Sequence, residues 1–556
     1  MTETLSGAQI TVRLLERQGV RLVTGYPGGA ILPLYDALGR STVLRHVLAR
    51  HEQGAGFIAQ GMARVSGEVA VCMATSGPGV TNLLTAITDA KMDSIPLVAI
   101  TGQVPRSLIG TDAFQEVDTY GLSIPVTKHN FLVTCAQELL EVLPRAFAIA
   151  ASGRPGPVLV DIPKDVQGQV IEVADWPQPG RRRQAAPADG TALASAAGLI
   201  RDAQRPMLYL GGGVIHAGAA ALAVELAEKA SLPTVMTLMA LGAMPADHPL
   251  SLGMLGQHGA PCTHMALEEC DLLIAVGARF DDRATGQVAA FCPQAKIVHI
   301  DIDPAELGKI KTAHVGIAAD VGDALSRLLP LVPSQSRTAW LGRVGALKAA
   351  HPQRLPGRDD PRSHYGLIRA VAACVGDDAI VTTDVGQHQM WAAQAYPLRR
   401  PGQWLTSGGL GTMGFGVPAA IGAALAAPGR TVVCFTGDGS ILMNLQELVT
   451  AAELRANVKI VLMNNAALGL VHQQQTLFYG ERLFASEFQA VPDFVGAARA
   501  LGVAAVDLDA ASDPAAALAE ALARPGPGLI HASIDARQKV YPMVPPGAPN
   551  REMIGA

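Results

Sequence analysis

The sequence predicts an α/β protein of three doubly wound domains, each built on a parallel sheet with helices on both faces. Three observations predict it. Short, continuously apolar runs ending in Gly, Asp or Asn recur in three stretches of the chain, and helical patterns separate them. Strands buried on both faces read as unbroken apolar runs, and their alternation with helices is the mark of a parallel sheet. The third observation is length: 556 residues exceed what one hydrophobic core supports.

The runs can be taken in chain order. The first segment holds VAVCMAT (69–75), PLVAITG (96–102) and PVLVDIP (157–163). The second holds MLYLGGG (207–213), LLIAVG (272–277) and KIVHIDI (296–302). The third holds AIVTTD (379–384), TVVCFTGD (431–438) and KIVLMNN (459–465). Two stretches rich in Pro, Gly and Arg, 166–191 and 330–363, lack sustained apolar periodicity and read as linkers. The expected domains are therefore 1–170, 190–332 and 360–535, with 536–556 left as a C-terminal tail. Ligands of such sheets gather at the carboxyl ends of the strands, so the polar residues closing these runs are where chemistry is sought.

Composition excludes several classes. Hydrophobic residues make up 49% and charged residues 16%, which argues for large buried domains and against disorder. The net charge of −5 and the lack of a basic block remove the footprint of a nucleic-acid binder. The one basic cluster, Arg181–Arg183, reads as a solvated linker. Seven scattered cysteines without a C-x-x-C pair suit a reducing cytoplasm better than a disulfide framework. The amphipathic N-terminus is neither a signal nor a transit peptide, and no apolar run is long enough to span a membrane.

The most specific chemical signal lies in the third segment. TVVCF is a strand, Gly437-Asp438-Gly439-Ser440 a turn, and Leu442, Leu445, Leu448 and Ala452 recur at helical spacing. A second strand follows and ends in Asn464-Asn465. In a right-handed βαβ unit both strands end on one edge, which sets Asp438 beside Asn465. A carboxylate, an amide oxygen and a backbone carbonyl are hard ligands suited to Mg²⁺, whose remaining positions water and phosphate fill. Glycines at a helix N-terminus let a phosphate approach the backbone. The alternative is that Asp438 only caps a helix and Asn465 only ends a strand.

A second signal is Arg50-His51-Glu52-Gln53-Gly54-Ala55, which opens a helix with Ile58, Ala59, Met62 and Val65 on one face. An acid there can serve the positive helix end alone. A carboxyl in a water-poor setting can also drive a proton relay. Further motifs are SGPGVTN (76–82), GGLGTMGFGVPAAIGAAL (408–425), TDAFQE (111–116), GARFDDR (277–283), DIDPAELGK (301–309) and YPMVPPG (541–547). Met413 on its Gly-rich turn would ordinarily be gap-filling core, and Gly211-Gly212-Gly213 lacks the full dinucleotide spacing.

Together these motifs, spread over essentially the whole chain, resemble the acetohydroxyacid synthase catalytic subunits among the thiamine-diphosphate enzymes. NNAALGLVHQQQTLFYGERLF (464–484) and KVYPMVPPGA most resemble the bacterial isozyme I type. The resemblance implies three domains: pyrimidine-binding, central flavin-binding and diphosphate-binding, with the tail as an active-site cap. It implies decarboxylation of pyruvate and carboligation to a second 2-keto acid, pyruvate or 2-ketobutyrate, the first common step of valine, leucine and isoleucine biosynthesis. The implied cofactors are thiamine diphosphate, Mg²⁺ and a structural, non-redox FAD.

Residue by residue, the resemblance makes Glu52 the activating acid and points to Gly29, Phe114, Gln115, Lys164, Arg283 and Gln474 around the substrate. For thiamine diphosphate it implies Glu52, Asn82, Val385, Gly386, Gln387, His388, Gly411, Met413, Gly439 and Ser440. Gly411 would offer a carbonyl and Met413 would wedge the cofactor's rings. The metal would rest on Asp438, Asn465 and the carbonyl of Ala467. For FAD it implies Arg154, Gly211, Gly212, Gly213, Gly277, Ala278, Arg279, Asp281, Arg283, Asp301, Ile302 and Asp320. Arg283 could hold the second substrate's carboxylate bidentately, or pair with Asp281 or Asp282 instead. The resemblance also implies a homodimer or tetramer with active sites across the subunit interface, and a small regulatory subunit. The rival readings are a flavin-dependent pyruvate oxidase on the same scaffold and a non-catalytic scaffold, which would need none of Glu52, Asp438 and Asn465.

Overall fold

The computed structural model describes residues 2–555. Three six-stranded sheets are present, and every pairing within them is parallel. The first sheet runs in the order Arg45–Leu48, Leu22–Tyr26, Ala70–Ala74, Leu97–Gln103, Pro157–Pro163, His129–Leu132. The second runs Ser251–Met254, Thr234–Met236, Pro206–Leu210, Leu272–Val276, Lys296–Asp301, Val315–Ala318. The third runs Trp404–Leu405, Ile380–Thr383, Val432–Gly437, Val458–Asn464, Gly528–Ser533, Ala504–Asp507.

The unbroken apolar runs have a direct cause. Along each central strand, alternate side chains enter two different cores, one on each face of the sheet. Val433 and Phe435 join one cluster while Val432 and Cys434 join another. Met73 and Cys72 divide in the same way in the first sheet, and Leu208 and Tyr209 in the second. Each fully buried Val, Leu or Phe contributes about 1.5–3 kcal/mol, so a polar residue on either face would be costly. One of these clusters runs without a break from the second sheet to the third.

Strand order places the functional edges. An open α/β sheet forms its crevice where strand order reverses, outside the carboxyl ends of the strands. In the first sheet this point lies between Leu22–Tyr26 and Ala70–Ala74. It lies between Pro206–Leu210 and Leu272–Val276 in the second, and between Ile380–Thr383 and Val432–Gly437 in the third.

The first and third domains meet through helices Glu52–Ser66 and Gly416–Ala426. A Cβ on Gly61 would collide with the Ala419 carbonyl, and one on Gly422 with the Ile58 carbonyl. Phe57 and Phe415 pack edge to face at 5.4 Å across this contact.

Both expected linkers need correction. The first opens with helix Lys164–Gly168 and strand Val170–Val173, which pairs antiparallel with Glu3–Ser6. Arg182 within it is not merely solvated, because it pairs with Asp320 at 2.7 Å. The second contains helix Thr338–Ala350, whose Trp340, Val344 and Leu347 are buried in the core of the second domain. Those positions have helical spacing, and Trp340 Nε1 donates to the Pro206 carbonyl at 3.0 Å. Gly342 and Gly345 dilute the helical signal there. The single helix expected after Asp438 is also two: Asp438–Ile441 and Glu447–Leu454, with Leu442 exposed between them.

Candidate active site

At the reversal point of the third sheet, Val432–Gly437 delivers Asp438 to its carboxyl edge and Val458–Asn464 delivers Asn465. The Asp438 side chain is buried and accepts the N–H groups of Gly439 at 2.9 Å and Ala467 at 3.1 Å. Asn465 Oδ1 accepts the same Ala467 N–H at 3.2 Å, while its amide nitrogen donates to Gln387 Oε1 at 3.0 Å. The preceding Ala466 has φ +54°, the left-handed conformation that turns the chain back toward Asp438. Burial pushes the Asp438 carboxyl up to about 6, and no basic side chain pairs with it among the described residues. A buried carboxylate without a cation is costly, so this set of hard oxygens fits a divalent ion.

Val385–His388 lies beside it, on the loop that leads into helix Gln387–Ala395. Ser440 Oγ donates to the Val385 carbonyl at 3.0 Å. His388 is buried, its Nε2 has no partner, and burial lowers its pKa to about 3, so the ring is neutral. Asp384 organises the neighbouring turn. Its carboxylate accepts Gly414 N–H at 2.7 Å and Gly416 N–H at 3.2 Å, tying 408–416 to the strand end. Burial raises Asp384 to about 6. Gly411 on that turn is exposed with φ +72°, and Met413 reaches the Gly439 turn.

Glu52 belongs to a separate group at the first sheet's reversal point. It opens helix Glu52–Ser66, is 8% exposed, and accepts Asn82 Nδ2–H at 3.0 Å. Among the described residues no hydrogen bond or ion pair joins Glu52 to the Asp438 group. Gly29 is exposed on the adjoining loop, where Ala30 N–H donates to Thr75 Oγ1 at 3.2 Å. Phe114 is 88% exposed, and Gln115 takes φ +58° with its backbone packed against Gly77. Glu116 shapes that loop by accepting the N–H groups of Gly110, Thr111 and Ala113, which hold its carboxyl below the usual range. Lys164 is exposed at the start of its short helix.

The second sheet's reversal point opens into an elongated cavity of about 300 Å³. All twelve residues expected around a flavin line it: Arg154, Gly211–Gly213, Gly277, Ala278, Arg279, Asp281, Arg283, Asp301, Ile302 and Asp320. The cavity continues to Gly411 and Leu470 of the third domain. The triple glycine has a packing cause, since a Cβ on Gly211 or Gly213 would collide with Gly277. Arg154 pairs with Glu306 at 2.9 Å, whereas no carboxylate pairs with Arg279 among the described residues. Burial raises Asp301 to about 6. Arg283 is largely exposed and makes only a loose pair with Asp282 at 3.8 Å, worth little at a surface.

Gln474 sits half-buried on helix Gly469–Phe478 with no hydrogen-bond partner among the described residues. Its neighbour Gln473 is fully buried and clamps the tail. Gln473 Oε1 accepts Val540 N–H at 2.8 Å, and its Nε2 donates to the Val540 carbonyl at 3.0 Å. Gln387 Nε2 donates to Gln473 Oε1 at 3.0 Å and to the Gln538 carbonyl at 2.9 Å. The tail therefore joins the Asp438 group through two glutamines, a link that spacing alone does not reveal.

Comparison with known proteins agrees with this layout. Residues 5–122 match the N-terminal TPP-binding domain model of thiamine pyrophosphate enzymes, 193–328 the central domain, and 384–532 the C-terminal TPP-binding domain. The chain is 62% identical over 550 residues to the acetolactate synthase isozyme 1 large subunit of Escherichia coli (strain K12), covering 99% of this chain and 98% of that protein. It is 48% identical over 565 residues to the acetolactate synthase large subunit of Parasynechococcus marenigrum (strain WH8102), covering 100% and 91%. It is 44% identical over 557 residues to a probable acetolactate synthase large subunit of Methanocaldococcus jannaschii, covering 98% and 94%.

Proposed function

We propose that this chain, which belongs to the acetolactate synthase large-subunit family of thiamine-pyrophosphate enzymes, condenses pyruvate with a second 2-keto acid in branched-chain amino-acid biosynthesis. The acceptors are pyruvate, giving 2-acetolactate, and 2-ketobutyrate, giving 2-aceto-2-hydroxybutyrate. When bound, thiamine diphosphate supplies a thiazolium carbon that adds to the keto group and accommodates the electrons released as CO₂ leaves.

The protein's part is to hold, orient and exclude water. Asp438, Asn465 and the Ala467 carbonyl would hold Mg²⁺, and the N-terminus of Gln387–Ala395 and the Gly439-Ser440 turn would hold the diphosphate. Glu52, kept in place by Asn82, hydrogen-bonds the aminopyrimidine and moves its proton. Gly411 and Met413 would support the cofactor from their turn. Gly29, Phe114, Gln115, Lys164 and Gln474 surround the substrate, and Arg283, only loosely paired on the cavity rim, receives the acceptor's carboxylate. FAD would fill the central cavity as a structural element, with Arg154, Gly211–Gly213 and Arg279 among the residues that would hold it.

Two chains complete a site. Glu52 and Asp438 form separate groups within one chain, and apolar side chains beside each are exposed, Tyr26, Leu32 and Phe114 near the first and Leu442 and Met443 near the second. Pairing copies would cover such a surface. A homodimer or tetramer and a small regulatory subunit complete the proposal. Seven unpaired cysteines fit the reducing cytoplasm, and no helix of the described residues is long and apolar enough to cross a membrane.

The observation that carries the reading is the buried Asp438 carboxylate, which no basic side chain among the described residues pairs with, beside Asn465 at the third sheet's reversal point. Product analysis tests it, using pyruvate with and without 2-ketobutyrate in the presence of thiamine diphosphate, Mg²⁺ and FAD. Acetolactate and acetohydroxybutyrate are expected. Acetate with bleaching of the flavin would assign the chain to the oxidases instead.

A further inference from the structure

Beside the candidate metal turn, at the same sheet edge, lies a polar chain with no role in the proposal above. Strand Ala504–Asp507 pairs in parallel with Gly528–Ser533, setting Asp507 level with His531. On the other side His531 is level with Leu462, two residues before Asn464. Residues two apart on a strand share a face, so Asp507, His531 and Asn464 project from the same side of the edge. Their polar atoms meet. His531 Nδ1 lies 3.0 Å from Asp507 Oδ1, and Asn464 Nδ2 lies 3.0 Å from His531 Nε2.

The direction of these bonds follows from chemistry. Asn464 Oδ1 accepts the N–H of Ala466 at 3.1 Å, which fixes the amide with its NH₂ toward His531. An NH₂ can only donate, so His531 Nε2 must be its unprotonated acceptor. The proton of the neutral ring then sits on Nδ1 and is donated to Asp507. Asp509 Oδ2 stands 3.9 Å from the same Nδ1 and accepts Ser533 N–H at 3.1 Å. The far end of the chain is the Ala466 bend. Its left-handed φ brings Asn465 Oδ1 and the Ala467 backbone to Asp438.

We propose that Asp507 and His531 are positioning residues that act through Asn464 to hold the 464–467 bend in metal-binding shape. The ligand atoms of Asp507, Asp509 and His531 lie within 4.8 Å of one another, a spacing that a cation site would also show. Both ring nitrogens are already engaged, however, and Asp509 is occupied by backbone. The inference rests on the proposed Mg²⁺ site, and outer partners of metal ligands typically contribute about 10–100-fold in metal affinity.

The test measures Mn²⁺ affinity directly, by the paramagnetic signal of free ion, on the full chain with thiamine diphosphate and no substrate. Wild-type protein should bind, and Asp438→Asn should lose binding. His531→Leu should weaken binding by at least about tenfold, while His531→Gln, whose side-chain oxygen can accept from Asn464, should recover most of it. The Asp507→Ala/Asp509→Ala double variant alters half-exposed positions where folding is not at stake. It should weaken binding several-fold with an unchanged melting temperature. Wild-type affinity in both His531→Leu and the double variant would overturn the relay, as would Gln no better than Leu at 531. A second Mn²⁺ that survives Asp438→Asn and disappears with His531 would overturn it in favour of a cation site. Wild-type affinity in Asp438→Asn would instead overturn the metal reading itself, and the inference with it.

Discussion

Asp438 and Asn465 accept the same backbone N–H, that of Ala467, at 3.1 and 3.2 Å. The shared donor sets the two side-chain oxygens side by side, and of the two residues only Asp438 carries charge. Asp438→Ala should therefore abolish metal-dependent retention of thiamine diphosphate. Calorimetric titration of the cofactor with and without Mg²⁺ checks this. Wild-type affinity in the variant would mean that another residue holds the ion.

Glu52→Gln should slow proton exchange at the cofactor's C2 by at least about 100-fold, while Mg²⁺ and diphosphate binding survive. The substitution keeps a hydrogen-bonding partner for Asn82 and removes only the ionisable carboxyl. Exchange followed by NMR provides the measurement. An unchanged rate would move the activating role elsewhere.

FAD should be required for activity and remain oxidised through many anaerobic turnovers. The cavity proposed for it reaches the third domain at Gly411 and Leu470, so loss of the flavin should also loosen the turn carrying Gly411. Absorbance during turnover checks the first point. Bleaching in proportion to product would contradict it.

Gln474→Trp should raise preference for 2-ketobutyrate over pyruvate. An indole there would add an apolar surface for the extra methyl of 2-ketobutyrate, and one methyl in an apolar pocket is worth roughly 1–3 kcal/mol, or 10–200-fold. The wild-type chain, with a half-buried and unpartnered amide there, should show little preference and make mainly acetolactate when pyruvate is abundant. Competition between the two acceptors with both products quantified decides it.

Asp161 offers a pH test away from the metal. It is fully buried, accepts Thr101 Oγ1–H at 2.6 Å and Gln103 Nε2–H at 3.1 Å, and burial raises it to about 7. A raised folded-state value favours the protonated form. Its stability contribution is thus complete below the ordinary Asp range and is lost as pH rises through about 7. Asp161→Asn should raise the melting temperature relative to wild type, and by more at pH 8 than at pH 5, because the loss grows between the ordinary Asp range and about 7. A difference independent of pH would show that Asp161 is charged throughout.

The sheets were legible because burial on both faces leaves no room for alternation, so VVCF and IVLM announce their own environment. The ends of those strands were legible too, since the chemistry sits where the apolar run stops. Less legible were residues that act through partners far along the chain. Arg182 meets Asp320 and Gln473 meets Val540 only after folding. Asp384 reads as the end of a strand, and only the return of 408–416 makes it the anchor of that turn. Helix Thr338–Ala350 was hidden by its glycines, although Trp340, Val344 and Leu347 held the period.

Gly61 and Gly422 each face a carbonyl of the opposite helix, and neither position has room for a single added carbon. Glycine inside a helix costs about 1 kcal/mol relative to alanine, so both helices give up intrinsic propensity to lie this close. The evolutionary consequence is uneven freedom. Drift at the exposed Phe114 or the half-buried Gln474 would leave the molecule standing, whereas drift at Gly61 or Gly422 would first force the first and third domains apart. A library randomised at these two glycines should return glycine almost alone, so lineages can diverge in substrate choice long before they can diverge at this seam.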